Sequence, residues 1–540
     1  MLLNAMVAPL TLLAVALPFL FAYSQPPSSN FWPLVAAWTC GAVLALLAVC
    51  RARGLRRSLP GGQASDGRAF LASQLAAGLL LAALLAGMIG LLQYFLGDPG
   101  MAPWVQPSTP GQAIGNLRQR NQQASLLSLG VWALLWLVAQ VQAHLGAASG
   151  VPATPLQRAL LGDGRPSPLL SSWLVGMLLV WTITLLAVAS AATASRTGAM
   201  QWLLILALLV LWRGASSRLV LGLVVIGLVF YALAGWMLPR LLLDWTGFAA
   251  EGVFARLADD PQSCSSRRVL WSNVLYLIAQ KPWTGWGWGE LDYAHYITLF
   301  PGARFCTLLD NAHNLPLHLA VELGLPVAAV ACGAVLAWVL HARPWRETDP
   351  VRQLAWGVLA IIGLHSMVEF PLWYGPFQLV TVLALVLLCR RALLRWVRSA
   401  RLVACVAVVG VAVAVVGAGI AWDYYRVSQL YRPMAARLPA FQGDTLAKVS
   451  NTLLFSTQVD FARLTTTALT RENAPQVHRL ATQLLHFSPE PRVVEKLIES
   501  ALLLGMDDEV AFHLRRYRVA YPEDHARWAR AQRQAPPAPQ

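Results

Sequence analysis

Long apolar segments recur along this chain and constrain its fold more than any other feature. An α-helix rises about 1.5 Å per residue, so crossing about 30 Å of hydrocarbon takes roughly 20 apolar residues. Eleven segments come close to that length, namely residues 5–23, 32–50, 70–96, 123–145, 169–190, 199–212, 219–237, 315–340, 353–371, 376–390 and 402–422. The sequence therefore predicts an all-α polytopic membrane protein with about 11 transmembrane helices.

The composition agrees with a membrane protein. Of the 540 residues, 57% are hydrophobic and only 12% are charged, which is outside the range of soluble globular domains. A formal net charge of +15 raises nucleic acid as a partner, but the arginines lie in short clusters between apolar segments. Such clusters are typical of topology signals. We therefore expect the lipid bilayer, and no nucleic acid, as a partner.

The arginines also predict an orientation. If the N-terminus is cytoplasmic, most of them fall in cytoplasmic loops, and the short loops opposite hold only Arg118, Arg120 and Arg196. The outside regions are then residues 97–122, 191–198, 238–313 and everything after about 423. In a bacterial inner membrane that side is the periplasm. Since insertion does not require the three outside arginines, we treat them as candidate functional residues.

Four segments follow from this order. They are residues 1–237 with helices 1–7, a large periplasmic loop at 238–313 with candidate functional residues, helices 8–11 at 314–422, and a periplasmic α-helical domain at 423–540. The last segment alternates apolar and polar residues at helical period and includes one stretch with the length of a tetratricopeptide-like (TPR-like) repeat. We expect it either to recruit or orient a protein on which the chain acts, or to cap the outer face.

One junction between loop and helix draws attention, at residues 310–326, where the sequence reads DNAHNLPLHLAVELGLP. Asn314 is suited to cap the helix that follows, and Gly324 with the next proline predicts a break in that helix. His313 would then lie at a membrane surface. A lone histidine beside an apolar helix is more often a structural hydrogen-bonding residue than a functional one, so its role depends on its surroundings.

The large loop supplies those surroundings. Residues 265–280 have apolar positions at helical spacing, which puts Arg267 and Arg268 in the first turn of an amphipathic helix. Basic residues at a helix N-terminus suit an anion that also meets the free amides there, and the alternative is a solvated surface pair. The GWGWG stretch at 285–289 predicts a turn. A phosphate-cradling role for this turn is the alternative to a purely structural one.

Cysteines bracket the same loop. Cys264 and Cys306 are the only two in the predicted outside segment, and in an oxidising compartment we expect a disulfide between them rather than two free thiols. Such a bond would hold His313 near Arg267 and Arg268.

Two histidine and glutamate pairs lie near the spans. His318 and Glu322, and likewise His365 and Glu369, are one helical turn apart, and either pair could be half of a metal site. No further ligand cluster accompanies them, so we expect two hydrogen-bonded pairs and no metal. Glu369 is the more favoured functional residue, because a carboxylate at that depth is expensive.

Several of these stretches together resemble a known family. They are RQRNQQASLL at 118–127, TASRTGA at 193–199, RRVLW followed by KPWTGWGWGE, DNAHNLPLHLAVELG, and HSMVEFPLWY at 365–374. The combination is similar to the bacterial protein O-oligosaccharyltransferases of the PglL type. These are relatives of the O-antigen ligases and polymerases, the Wzy/WaaL superfamily.

The resemblance implies an inverting, metal-independent glycosyltransferase without a cofactor. It would move an oligosaccharide from undecaprenyl diphosphate to Ser or Thr hydroxyls of periplasmic proteins such as pilin. The alternatives are an O-antigen ligase, whose acceptor is the lipid A core, and an O-antigen polymerase. His313 matches the family's essential histidine, Arg196 matches an arginine of the family, and Arg267 or Arg268 matches another.

The residue types suit that chemistry. A neutral imidazole, with an ordinary pKa of about 6.5, is able to take the proton of an attacking hydroxyl, which makes His313 the candidate base. Guanidinium groups bind phosphate oxygens bidentately, so Arg196, Arg267 and Arg268, with Arg118 or Arg120, are the candidate donor clamp. The first outer loop reads SQPPSSN and holds no carboxylate, which disfavours a metal-dependent reaction.

Overall fold

The structure of the protein, a computed structural model, describes residues 2–58, 64–147, 170–213, 217–257, 263–389 and 400–534. These residues form α-helices, short 3-10 turns and loops, and no β-strand lies among them. The first seven helices are α1 (Leu2–Leu20), α2 (Phe31–Ser58), α3 (Ala64–Leu96), α4 (Arg120–Ala147), α5 (Leu170–Ala192), α6 (Arg196–Leu211) and α7 (Arg218–Thr246).

The next seven are α8 (Val253–Leu257), α9 (Arg267–Gln280), α10 (Leu291–Ile297), α11 (Leu315–Ala342), α12 (Pro350–Ser366), α13 (Gly375–Leu388) and α14 (Ala400–Ser428). The C-terminal helices are α15 (Thr445–Val449), α16 (Ser456–Thr466), α17 (Ala474–Leu484), α18 (Pro491–Leu503), α19 (Asp507–Ala520) and α20 (Pro522–Gln534). The all-α prediction is confirmed for the described residues.

Each of the eleven predicted spans overlaps one of the helices α1–α7 or α11–α14. Six helices are long and apolar enough to cross a membrane within the described ranges, over Phe31–Cys50, Gly67–Leu96, Arg120–Ala143, Trp173–Ala192, Arg218–Thr246 and Leu315–Arg346. Three shorter apolar helices are Met6–Leu20, Arg196–Leu211 and Gly375–Leu388. A polytopic membrane protein is thus confirmed, and the number of eleven spans stays a prediction.

The chain forms two compact units. The first unit comprises residues 1–24, 29–259 and 339–415, and the second comprises 25–28, 260–338 and 416–540. This grouping follows contacts rather than chain order, so it cuts across the four segments inferred from the sequence.

The first unit is a bundle of apolar helices with close packing. Leu79, Leu127 and Trp202 are fully buried in its core. Small residues allow the helices to approach closely: a Cβ atom added at Gly130 of α4 would lie only 2.2 Å from the Cβ of Ala83 on α3. The bundle therefore provides a rigid support for the residues at its ends.

The second unit combines most of the large loop with the C-terminal helices. Val477, Leu497 and Tyr517 form a buried core from α17, α18 and α19, and Tyr296 of α10 belongs to the same core. The hydroxyl of Tyr296 is 3.2 Å from Nδ1 of His513. A loop helix is therefore part of the C-terminal helical domain, whose likeness to a TPR-like repeat stays a prediction.

Candidate functional site

A buried carboxylate organises the start of α4 in the first unit. Glu369 is only 2% exposed and lies in the turn after α12. Its Oε1 accepts a hydrogen bond from Nδ2 of Asn121 at 2.8 Å, and its Oε2 accepts one from Nε2 of Gln119 at 3.2 Å. The two amide donors lie on either side of Arg120 in the sequence, so the carboxylate anchors the segment that carries this arginine.

The same asparagine reaches the start of α6. Ser195 caps that helix, because its Oγ accepts from the backbone N–H of Gly198 at 3.1 Å. The Ser195 hydroxyl also donates to Oδ1 of Asn121 at 2.7 Å. The next residue is Arg196, whose side chain is exposed. Asn121 therefore connects the segment of Arg120 with the helix that begins at Arg196.

Arg118 lies in the turn before α4, with a positive φ of 60°. Its side chain is partly buried, and this burial lowers the pKa of the guanidinium from its ordinary value. Its Nη1 is buried and has no hydrogen-bond partner among the residues that the structure describes. A buried donor of this kind is costly unless an acceptor reaches it, and an anion would serve.

His365 is fully buried within the bundle, and its ring bonds to α4 rather than to the carboxylate of Glu369, whose N–H donates to the His365 carbonyl at 2.8 Å. Its Nδ1 lies 2.8 Å from Oγ of Ser125, which also accepts from Nε2 of Gln201 at 2.7 Å. The physical reason is that α12 ends at Ser366, before Glu369, so the carboxylate turns toward α4 instead.

His313 of the second unit has a backbone held by its neighbours. Its φ is 49°, in the left-handed region, and its N–H donates to Oδ1 of Asn311 at 2.8 Å. Nε1 of Trp271 donates to the carbonyl of Ala312 at 3.1 Å. Oδ1 of Asn314 accepts from Leu317 N at 3.0 Å, the capping contact expected from the sequence. The imidazole is therefore presented by a backbone with little freedom.

The two loop arginines open α9, as predicted. Ser266 caps this helix by accepting from the N–H of Val269 at 3.3 Å. Arg267 is partly buried, whereas Arg268 is exposed. The helix therefore begins with two guanidinium groups on its first turn, where its free amides also favour an anion.

Cys264 and Cys306 are joined by a disulfide, with Cα atoms 5.4 Å apart. The bond links a residue just before α9 to one just before the segment of His313. It shortens the chain path between these two parts of the second unit.

The GWGWG turn donates hydrogen bonds to the backbone at the break in α11. Gly324 is non-helical there, with φ 84° and ψ 162°, which confirms the predicted break. The carbonyls of Val321 and Glu322 lose their helical partners and accept instead from the N–H groups of Trp286 and Gly287, each at 2.9 Å. Because these two amides already donate to the helix, the structural interpretation of the turn replaces the phosphate-cradling one.

His318 and Glu322 lie beyond this turn on α11. Both are buried, with Nε2 of His318 at 3.6 Å from Oε2 of Glu322. The expected pair is therefore present, at ion-pair distance. Across the described ranges, no cluster of three or more His, Cys, Asp or Glu side chains has the placement to hold a metal ion.

Unusual backbone conformations concentrate at these candidates. Among the described residues, four that are not glycine have a positive φ, namely Arg118, Ala194, His313 and Arg343. Two are candidate site residues and Ala194 lies just before the cap of α6. Such conformations cost about 1–3 kcal/mol each and are typical of functional sites.

Comparison with known proteins bears on this arrangement. Residues 113–138 match a family described as "Protein glycosylation ligase", residues 181–332 match "O-Antigen ligase", and residues 353–536 match "Virulence factor membrane-bound polymerase, C-terminal". Together these matches support a protein of the PglL type in the O-antigen ligase and polymerase (Wzy/WaaL) superfamily. The three matched regions contain every candidate site residue of this chain.

A relative of known name supports the same placement. The "General O-oligosaccharyltransferase" of Acinetobacter baylyi is 24% identical over 311 residues, which are 56% of this chain and 48% of the relative. The chain thus spans about half the length of that protein. No solved structure matches this chain.

The sequence did not single out several residues that hold this arrangement. Gln119 and Asn121 occur inside the stretch that carries the family resemblance, but nothing local indicates their bonds to Glu369. Ser195 could have been found, because a serine just before an apolar helical segment is a standard N-cap signal. Asn311, which fixes the backbone of His313, gives only the weak signal of an Asx turn.

Proposed function

We propose that this protein transfers an oligosaccharide from undecaprenyl diphosphate to Ser or Thr hydroxyls of periplasmic proteins such as pilin. One observation carries the proposal above the others: the region that matches a protein glycosylation ligase, residues 113–138, contains Arg118, Arg120 and the amides that bond Glu369. The name of the Acinetobacter relative supports the same activity.

In the proposed reaction, His313 acts as the general base. The neutral imidazole accepts the proton of the acceptor hydroxyl while its oxygen attacks the anomeric carbon. The bond from that carbon to the phosphate oxygen breaks with inversion, and the lipid diphosphate leaves with the bonding electron pair. His313 is half-buried, and the backbone on both sides of it is held by hydrogen bonds. This suits a group that must meet its substrate in one orientation.

In this proposal, five arginines bind the diphosphate of the donor. They are Arg118, Arg120, Arg196, Arg267 and Arg268. Guanidinium groups stabilise charge that grows on the leaving group, so the proposed reaction needs no metal ion. The orphaned Nη1 of Arg118 supports its part in this role.

The proposed location is the bacterial inner membrane, with a cytoplasmic N-terminus and a periplasmic site and C-terminal domain. The uneven distribution of arginine between the loops supports this orientation. A donor that is already in the membrane fits the same location, because the periplasm supplies no nucleotide-activated sugar.

A second candidate activity is O-antigen ligation or polymerisation. The matches to an O-antigen ligase and to a virulence factor polymerase favour it. The donor and the chemistry would be the same, and only the acceptor would differ, either the lipid A core or a growing polysaccharide.

Co-expression with a defined lipid-linked glycan and a panel of acceptors tests the proposal. The panel contains a pilin, another periplasmic protein, a lipid A core strain and a polysaccharide subunit. We expect glycan on Ser or Thr of the pilin, detected by mass spectrometry of the intact protein. Glycan on lipopolysaccharide alone, or on no acceptor, would contradict transfer to protein.

His313→Ala addresses the base in the same cells. We expect transfer to fall by at least about a hundredfold, because general-base catalysis contributes roughly 10²–10⁴. His341→Ala changes a histidine near the other end of α11 and is the matched control, which should retain transfer. Equal activity of the two variants would exclude His313 as the base.

A further inference from the structure

Four side chains in the first unit form one continuous hydrogen-bonded chain, which we call the Asn121 network: Gln119, Glu369, Asn121 and Ser195. Its bonds measure 3.2, 2.8 and 2.7 Å in that order. Glu369 is 2% exposed and Ser195 is fully buried. Water therefore has little access to replace a lost partner, so the loss of any one bond costs more free energy than it would at the surface.

The network has a fixed polarity that only a carboxamide at position 121 provides. Asn121 donates through Nδ2 to the Glu369 carboxylate and accepts through Oδ1 from the Ser195 hydroxyl. An aspartate there would place two carboxylates face to face, and an alanine would leave both partners unsatisfied. The remaining oxygen of Glu369 accepts from Gln119, so both of its oxygens are engaged.

Both ends of the network carry candidate arginines. Gln119 lies between Arg118 and Arg120, and Ser195 caps the helix whose first residue is Arg196. These two segments are far apart in the sequence. Glu369 bonds to both Gln119 and Asn121 of the segment around Arg120, and Asn121 bonds directly to Ser195, just before Arg196.

We propose that Asn121 is a positioning residue, which uses Glu369 as its anchor to hold Arg118, Arg120 and Arg196 in one arrangement for a diphosphate. This inference rests on the proposed function, in which these arginines bind the donor. Asn121 itself does not have to touch the substrate, and its effect reaches the ligand through the backbone that it fixes.

The opposite end of α4 offers a natural control. Ser217 caps α7 by accepting from the N–H of Val220 at 3.2 Å, and its hydroxyl donates to the side-chain oxygen of Gln142 on α4. The first residue of α7 is again an arginine, Arg218. This serine and carboxamide pair repeats the local geometry of Ser195 and Asn121, but it involves none of the candidate site residues.

A polarity exchange tests the network. Asn121→Asp alone opposes two carboxylates, and Glu369→Gln alone removes one acceptor. In the double variant, the introduced Gln donates to the introduced Asp and accepts from Gln119, while the introduced Asp still accepts from Ser195. All three bonds are then restored, and donor and acceptor are exchanged only in the bond between positions 121 and 369, so a role in positioning predicts rescue.

The direct readout is the dissociation constant of farnesyl diphosphate for the purified full-length protein in detergent. We expect Asn121→Asp to weaken binding about tenfold and Glu369→Gln about threefold, with the double variant within about threefold of the wild type. Ser217→Ala should bind as the wild type does. Thermal unfolding of each variant is recorded beside binding, so that loss of fold is recognised.

The outcomes separate the inference from the proposed function. If the wild type transfers glycan but the double variant binds no better than Asn121→Asp, or the single variants bind normally, the inference is overturned alone. If the binding pattern appears and no acceptor is glycosylated, the proposed function fails and the inference stands. If the wild type does not bind farnesyl diphosphate, the inference is overturned, and the transfer assay alone decides the proposed function.

Discussion

The two units hold their candidate residues by different means. In the first unit, the arginine segments are joined by side chains, through the bonds of Asn121 to Glu369 and Ser195. In the second unit, side chains bond the backbone around His313, but the break in the helix that follows it is held by a close backbone approach at Gly285 and Gly324. A disulfide adds a covalent link just before α9.

The difference teaches what kinds of change each unit should tolerate. A side-chain link depends on matching a donor with an acceptor, so exchanging both partners is able to restore it. A backbone contact depends on the absence of a side chain, and no second substitution nearby supplies that. Smaller substitutions should therefore cause larger losses of stability in the second unit than in the first.

Gly285→Ala should have the largest effect. Its φ is 68°, and a Cβ atom there would lie 2.3 Å from the carbonyl oxygen of Glu322. Since that oxygen belongs to the backbone at the break in α11, the helix or the turn must move. We expect a loss of at least about 4 kcal/mol in unfolding free energy, measured by denaturant unfolding in detergent, together with loss of transfer.

Gly289→Ala is the matched control for this change. It has a similar φ of 78°, but nothing lies within 4 Å of its added Cβ. It should cost only the strain of a positive φ, about 1–2 kcal/mol. Equal losses for the two glycines would show that backbone strain, and not the close approach to α11, governs this turn.

Removing the disulfide should have the next largest effect. Replacing Cys264 and Cys306 together with serine frees a loop with a sequence separation of 42. The chain-entropy relation gives about 4 kcal/mol for a loop of this size. Hydrogen exchange should show faster opening of α9, whereas exchange in α4 of the first unit should change little.

Cys332→Ser is the control for this experiment, since Cys332 is a free cysteine on α11. If the double serine variant exchanges as slowly as this control, then packing rather than the covalent bond holds the start of α9.

Each unit contains a buried carboxylate, and a change at one of them should have the smallest effect on stability. Glu369 accepts hydrogen bonds from two side-chain amides. Asp292 of α10 is 7% exposed and accepts a hydrogen bond from the N–H of the adjacent Tyr293. Burial is the main cause that raises the pKa of Asp292 to about 7. The folded pKa thus lies above the unfolded value near 3.8, so stability is full below about pH 4 and is lost as the pH rises to about 7.

Asp292→Asn removes this ionisation. We expect the variant to be more stable than the wild type at pH 8, by on the order of 2 kcal/mol, and to show no such gain at pH 4.5. The measurement is the difference in unfolding temperature between the two proteins at each pH. A gain that is the same at both pH values would contradict ionisation as the cause.

Much of the fold was predictable because its signals are local. The apolar segments predicted the long helices, Gly324 predicted the break in α11, and Asn314 predicted its cap. A bond between the side chains of His365 and Glu369 would need a helix that continued through both, and their side chains have other partners. The helix ends at Ser366, and sequence periodicity locates helix ends less reliably than helix centres.

The sequence by itself determined where the helices form, which loops carry arginine and where His313 lies relative to its helix. These follow from hydropathy, charge and capping, which act over a few neighbouring residues. Only the tertiary structure decided the partners of Glu369, since Asn121 is separated from it by 248 positions along the chain. A hydrogen bond depends on distance in space, and the packing of α4, α6 and α12 sets that distance.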